Sequence, residues 1–129
     1  MSALRQRLSE AQVAVMFLTR LPAGRLTTRV PTLAEAAWAY PCVGLMTGAL
    51  AWAVLTAAHL LGLDPLMGAF LAVAALTMVT GALHHDGLAD CADGLGGGRD
   101  RAHVLEIMRD SRIGSYGVMA LILVVGLQV

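Results

Sequence analysis

The sequence predicts an all-α protein, a polytopic bundle of membrane helices that begins with an amphipathic helix at the membrane surface. Of the 129 residues, 57% are apolar and 14% are charged, with a mean hydropathy of +0.70. A soluble domain has about 25% charged residues. Nine basic and nine acidic side chains cancel, and all of them except Asp64 fall into two clusters separated by long uncharged runs. This composition argues against intrinsic disorder and against nucleic acid as a partner.

Residues 1–20 predict the amphipathic helix. Apolar side chains such as Leu4, Leu8 and Val15 recur there at helical spacing, with charged side chains between them. Such a pattern is typical of a helix that lies in the membrane interface. A helix packed against the bundle would show the same pattern, so both interpretations stay open. A secretory signal peptide does not fit, because no apolar core with a small-residue cleavage site follows.

Three uncharged runs predict membrane spans. Residues 42–63 are 22 residues, or about 33 Å of helix, which is enough to cross a bilayer core of about 30 Å. Residues 65–83 form the second span, with Asp64 as its N-cap and Pro65 as its first helical residue, so the two spans make a hairpin. Residues 113–129 begin a third span, and we expect a longer membrane domain of which this is the N-terminal part. A buried bundle in a soluble protein is the less favoured alternative.

The arginines predict the topology. Five precede the first span, none lies in the turn at Asp64, and four lie between the second and third spans. The positive-inside rule therefore places the N-terminus and residues 84–112 on the cytoplasmic side of the membrane. Gly44 and Gly48 form a small-xxx-small pattern that allows close helix contact and a homo-oligomer. Cys42 and Cys91 are interpreted as unpaired thiols.

Residues 84–112 contain the predicted site. Asp86, Asp90 and Asp93 are spaced by four and three residues, so a continuous helix would present all three on one face. Carboxylates this close repel one another unless a cation lies among them, and oxygen ligands favour Mg²⁺, or Mn²⁺, over zinc. Such an ion keeps positions open for substrate phosphates. A solvated acidic face is one alternative, and a zinc or di-iron site at His84 and His85 is a weaker one.

Glycine and arginine side chains around the aspartates are candidates for substrate binding. Glycine lets the backbone approach a ligand closely, and arginine binds phosphate through paired hydrogen bonds. A glycine-rich linker and interfacial anchoring charges would give the same residues, and a P-loop is excluded because the chain has no lysine. The candidate substrate-binding residues are His84, Gly87, Gly94, Arg99, Arg109, Ser111, Arg112 and Gly114.

Several motifs occur in order along nearly the whole chain. They are residues 17–22, Pro41 with Gly44 and Gly48, residues 84–94, and residues 106–114 with Gly117. With these motifs the sequence resembles the cobalamin synthase family, the adenosylcobinamide-GDP ribazoletransferases of the vitamin B12 nucleotide-loop pathway. The resemblance implies that the 3′-hydroxyl of α-ribazole, or of its 5′-phosphate, attacks the cobinamide-bound phosphorus of adenosylcobinamide-GDP and releases GMP. Asp93 and Asp110 are then the candidates for the general base.

Two other functions stay open at this stage. The block around Asp86 distantly resembles the Asp-Gly-x-x-Ala-Arg motif of CDP-alcohol phosphotransferases, but here Ala89 comes one residue early and Asp90 replaces the arginine. A catalytically inert membrane fragment with a role in assembly is the second alternative.

The residues around the aspartates suit the transferase reaction that the resemblance implies. Transfer of a phosphoryl-type group depends mainly on positioning and charge neutralisation, which a metal ion and arginines supply.

Overall fold

The computed structural model describes residues 3–26 and 29–129, and all regular elements in these two ranges are helices. This confirms the all-α class. The helix predicted over residues 1–20 is present from Ala3 to Leu18, and its first two predicted residues lie outside the described ranges. The elements are α1 (Ala3–Leu18), α2 (Leu33–Ala36), a 3₁₀ turn (Ala37–Ala39), α3 (Tyr40–Leu60), α4 (Pro65–Thr80), α5 (Leu83–Gly97), α6 (Arg101–Ile107) and α7 (Ser115–Gln128).

The chain divides into two compact units, Met1–Gly81 and Ala82–Val129. In the first unit, α1 packs against α2, the 3₁₀ turn and α3. Val13 and Ala14 of α1 are buried there, in a cluster that includes Ala36 and Val43. The structure thus shows α1 packed against α2, the 3₁₀ turn and α3, although Leu8 is 61% exposed.

The buried carboxylate of Glu10 connects α1 to the 3₁₀ turn through a hydrogen bond. Glu10 is 2% exposed and accepts hydrogen bonds from the Trp38 indole at 2.7 Å, from Arg7 at 2.9 Å and from Gln6 at 3.1 Å. The Arg7 guanidinium also lies 5.6 Å from the Trp38 ring centroid. The Trp38 hydrogen bond is the largest of the causes that lower the pKa of Glu10 from 4.5. Buried carboxylates are tolerated where donors satisfy them in this way.

One helical stretch in the described residues is long and apolar enough to cross a membrane. It runs over Leu33–Leu60, 28 residues with a mean hydropathy of 1.6 in its most apolar window. A second span is counted only if α4 and α5 together form one broken span. The 14-residue α7 is also apolar but shorter than a full span.

Helices α3 and α4 form a hairpin in which small residues meet. A Cβ atom on Gly68 of α4 would lie 3.3 Å from the Cβ of Ala58 on α3, so the two backbones are close at this point. By contrast, Cβ atoms on Gly44 and Gly48 would meet no atom within 4 Å in the described residues. The hairpin therefore does not use the predicted small-xxx-small face.

The ends of α4 follow local sequence signals. The Asp64 carboxylate accepts a hydrogen bond from the Leu66 amide at 2.9 Å, and Pro65 opens the helix, which confirms the predicted start. The helix ends at Thr80, three residues before the predicted end of the second span. Gly81 follows with a left-handed φ of 64°, a common helix stop because glycine adopts that conformation without strain.

The second unit consists of α5 packed against both α6 and α7. Most of the segment predicted as the site is therefore helical. The Asp100 carboxylate caps α6 by accepting a hydrogen bond from the His103 amide at 2.9 Å. Glycines allow the close packing, because a Cβ on Gly94 would lie 2.6 Å from the Met108 Cγ and one on Gly96 would lie 2.5 Å from the Tyr116 ring.

Candidate functional site

A cavity of about 270 Å³ in the second unit is lined by many of the polar residues that the sequence predicts for the site. Asp86 and Asp90, four residues apart on α5, line one side of it. The segment between α6 and α7 lines the other side with charged and hydroxyl groups. The full lining is Asp86, Ala89, Asp90, Met108, Arg109, Asp110, Ser111, Arg112 and Ile113.

Asp110 and Arg112 form an ion pair at this cavity. Nη2 of Arg112 lies 2.7 Å from Oδ2 of Asp110, and its Nε lies 3.1 and 3.2 Å from the two carboxylate oxygens. The Arg112 backbone amide donates to the same carboxylate at 3.1 Å. The side-chain hydrogen bonds from Arg112 lower the pKa of Asp110 from 3.8, and those to Asp110 raise the pKa of Arg112. The pair is therefore fully charged at neutral pH.

Asp93 lies on the same helix as Asp86 and Asp90 but has different contacts. It is 8% exposed, and its two carboxylate oxygens accept the backbone N–H groups of Gly114 and Gly117, each at 2.8 Å. It lines a cavity of about 430 Å³ that adjoins the 270 Å³ cavity and shares Asp110, Arg112 and Ile113 with it. The structure therefore does not bring Asp93 into the cavity that Asp86 and Asp90 share.

The three-aspartate metal site is not assembled in the structure. In residues 3–26 and 29–129, no group of three or more His, Cys, Asp or Glu side chains is arranged to hold a metal ion. Asp86 and Asp90 still face one cavity. Mg²⁺ in enzymes is often held by one or two carboxylates, with substrate phosphates and water as the other ligands. The structure thus brings Asp86 and Asp90 together without Asp93, and Mg²⁺ binding stays a prediction.

Other candidates lie away from the 270 Å³ cavity. His84 and Gly87 are exposed on α5, and a Cβ on Gly87 would meet no atom within 4 Å in the part of the chain that the structure describes. Arg99 is exposed before α6, where its amide donates to Nδ1 of His103 at 3.3 Å. Gly94 packs against Met108, as described above.

Two features of this unit are not among those predicted from the sequence. The first is the bond from Asp93 to α7, which the spacing of Gly114 and Gly117 around a helix start could have indicated. The second is His85, both of whose ring nitrogens are buried with no hydrogen-bond partner in the described ranges. Nothing in its sequence context signals that burial.

The described residues thus form an all-helical protein that has an apolar helix of membrane length and a cavity lined by charged side chains. The chain belongs to the cobalamin-5-phosphate synthase family, which its residues 10–129 match. This is the family that its motifs resemble.

Several curated relatives carry the name adenosylcobinamide-GDP ribazoletransferase. The Bradyrhizobium diazoefficiens protein is 49% identical over 126 residues, which are 97% of this chain and 48% of the relative. The Xanthobacter autotrophicus protein is 51% identical over 121 residues, covering 90% of this chain and 46% of the relative. The chain thus spans about half the length of the relatives it matches. No solved structure matches it.

Proposed function

We propose that this chain carries the phosphoryl-transfer site of an enzyme that joins adenosylcobinamide-GDP to α-ribazole, or to its 5′-phosphate, and releases GMP. The observation that carries this proposal is that Asp86 and Asp90 line one cavity together with Arg109 and Arg112. Family membership supports this choice of substrates, because the relatives are named for the transfer of ribazole to adenosylcobinamide-GDP.

The reaction exchanges a phosphoanhydride bond for a phosphate ester bond. The 3′-oxygen of ribazole forms a bond to the cobinamide-bound phosphorus, the bond from that phosphorus to the oxygen of GMP breaks, and the hydroxyl proton is released. GMP leaves with the electron pair. The main demand on the protein is to align the two substrates and to neutralise the charge that develops on the phosphate oxygens.

The cavity residues meet this demand in complementary ways. Arg109 and Arg112 bind the pyrophosphate oxygens, and the Ser111 hydroxyl donates a further hydrogen bond to them. Asp86 and Asp90 would hold Mg²⁺, or Mn²⁺ in its place, and the ion would supply positive charge for the transferring phosphate and for the leaving group.

Asp110 has a different role in this proposal. Its pairing with Arg112 lowers its pKa, and a carboxylate of low pKa accepts a proton poorly at neutral pH. We assign Asp110 to hold the Arg112 guanidinium in place at the cavity.

The proposed location is the bacterial inner membrane, with the lipid bilayer around the apolar helices and the site on the cytoplasmic side. The length and apolar character of Leu33–Leu60 support a location in a membrane. The positions of the nine arginines support the cytoplasmic orientation of the site. Homo-oligomer formation through Gly44 and Gly48 stays a prediction.

The test uses membranes that contain the protein expressed from its complete coding sequence. GMP release from adenosylcobinamide-GDP should require both α-ribazole and Mg²⁺. Asp90→Asn should slow it on the order of 10²-fold or more, as loss of a charge-stabilising group does in other enzymes. Asp64→Asn is the matched control, because asparagine also caps helices well and Asp64 lies in the α3–α4 turn.

Two results would contradict the proposal. One is an equal loss of activity in the Asp64→Asn control, which would point to general damage. The other is release of CMP from CDP-diacylglycerol and an alcohol in place of GMP release, which would identify a CDP-alcohol phosphotransferase.

A further inference from the structure

The buried Asp93 carboxylate joins two helices of the second unit. It projects from α5, and its partners lie at the start of α7. Gly114 is the N-cap residue of α7 and has no side chain to cap the helix itself. The amides of Gly114 and Gly117 are among the donors that a helix start leaves without partners. Asp93 satisfies both, 21 and 24 residues away along the chain.

The two glycines fit this contact closely. A Cβ atom on Gly114 or on Gly117 would collide with the Asp93 carboxylate, and one on Gly117 would also lie 3.1 Å from the Ala89 carbonyl oxygen. The carboxylate can therefore approach the helix start only because both positions lack a side chain. A negative charge at this point is also favoured by the dipole of α7.

The contact bears directly on the 270 Å³ cavity. One side of that cavity belongs to α5, the helix that carries Asp93. The other side contains Arg109 and Arg112, in the segment that leads into Gly114. A bond from α5 to Gly114 therefore fixes one end of the segment that carries the arginines relative to Asp86 and Asp90.

We propose that Asp93 is a positioning residue that caps α7 and thereby sets the arginine segment opposite Asp86 and Asp90, and that it is not a ligand of the metal ion. Its effect on the reaction rests on the proposed function. The cap itself can be measured whether or not that function is correct.

Hydrogen exchange of the complete protein in detergent tests the cap. In Asp93→Ala, the amides of Gly114 and Gly117 should exchange on the order of tenfold faster or more, the effect of losing one charge-assisted hydrogen bond. Asp93→Asn keeps one acceptor oxygen and should show an intermediate rate. Asp90→Ala is the control and should leave both amides unchanged. Unchanged exchange at both glycines in Asp93→Ala overturns the proposal.

The Mg²⁺ dependence of GMP release separates positioning from metal binding. Asp93→Asn should lower kcat on the order of tenfold while the Mg²⁺ concentration for half-maximal activity stays within about twofold, because no ligand is lost. Asp90→Asn should raise that concentration on the order of tenfold or more. An equal rise in Asp93→Asn overturns the proposal. If the wild-type protein releases no GMP, the proposed function fails and the exchange rates alone decide the role of Asp93.

Discussion

Two glycines on the same helix should respond in opposite ways to the same substitution. Gly117 and Gly126 both lie in α7. A Cβ on Gly117 would collide with the Asp93 carboxylate, whereas one on Gly126 would meet no atom within 4 Å in the described residues. Gly117→Ala should therefore destabilise the protein, and Gly126→Ala should stabilise it.

The magnitudes follow from two opposing effects. Alanine is better than glycine inside a helix by about 1 kcal/mol, and this gain applies to both positions. At residue 117 the added methyl displaces the Asp93 carboxylate. The helix cap is made by this carboxylate, and loss of one hydrogen bond to a charged group costs roughly 1.5–3 kcal/mol. The net expectation is a loss of roughly 0.5–2 kcal/mol for Gly117→Ala and a gain of about 0.5–1 kcal/mol for Gly126→Ala.

Equilibrium unfolding of the complete protein in detergent micelles measures both changes under identical conditions. Hydrogen exchange at Gly114 reports locally whether the helix cap has been lost. Stabilisation by both substitutions, with protection at Gly114 intact, would refute the idea that the carboxylate excludes a side chain at residue 117.

Three further outcomes are expected. Because the pKa of Glu10 is lowered, its hydrogen bond to Trp38 is intact above pH 4.5 and is lost as the pH falls through the lowered value. Trp38 fluorescence should therefore change in this acid range. Glu10→Gln should abolish that change. Gly68→Leu should crowd Ala58 and destabilise the α3–α4 hairpin by about 1–3 kcal/mol in the same unfolding assay. Arg112→Lys should remove the paired hydrogen bonds to Asp110 and slow GMP release on the order of tenfold.

The sequence predicts the helices well because their signals are local. Long apolar runs without charge mark α3, α4 and α7. Asp64 and Asp100 mark helix starts, since a carboxylate there can reach the free backbone amides of the first turn. The shared cavity of Asp86 and Asp90 also follows from their spacing of four residues on one helix.

The role of Asp93 could not be predicted from helical spacing. Spacing relates a residue to neighbours on its own helix, while the partners of Asp93 are amides more than twenty residues further along the chain. The glycines are ambiguous for a similar reason. A glycine that admits a ligand and one that admits a neighbouring helix look the same in the sequence, and Gly94 and Gly96 pack against Met108 and Tyr116.

The proposed function requires Asp86 and Asp90 to act together at one phosphoryl-transfer site. A double-mutant cycle on GMP release measures whether they do, with Asp86→Asn, Asp90→Asn and the double variant assayed at saturating Mg²⁺. Residues that act as one unit are strongly non-additive, so the double variant should be about as slow as the slower single variant. Two losses that multiply independently, or a single variant with wild-type activity, would contradict a shared site.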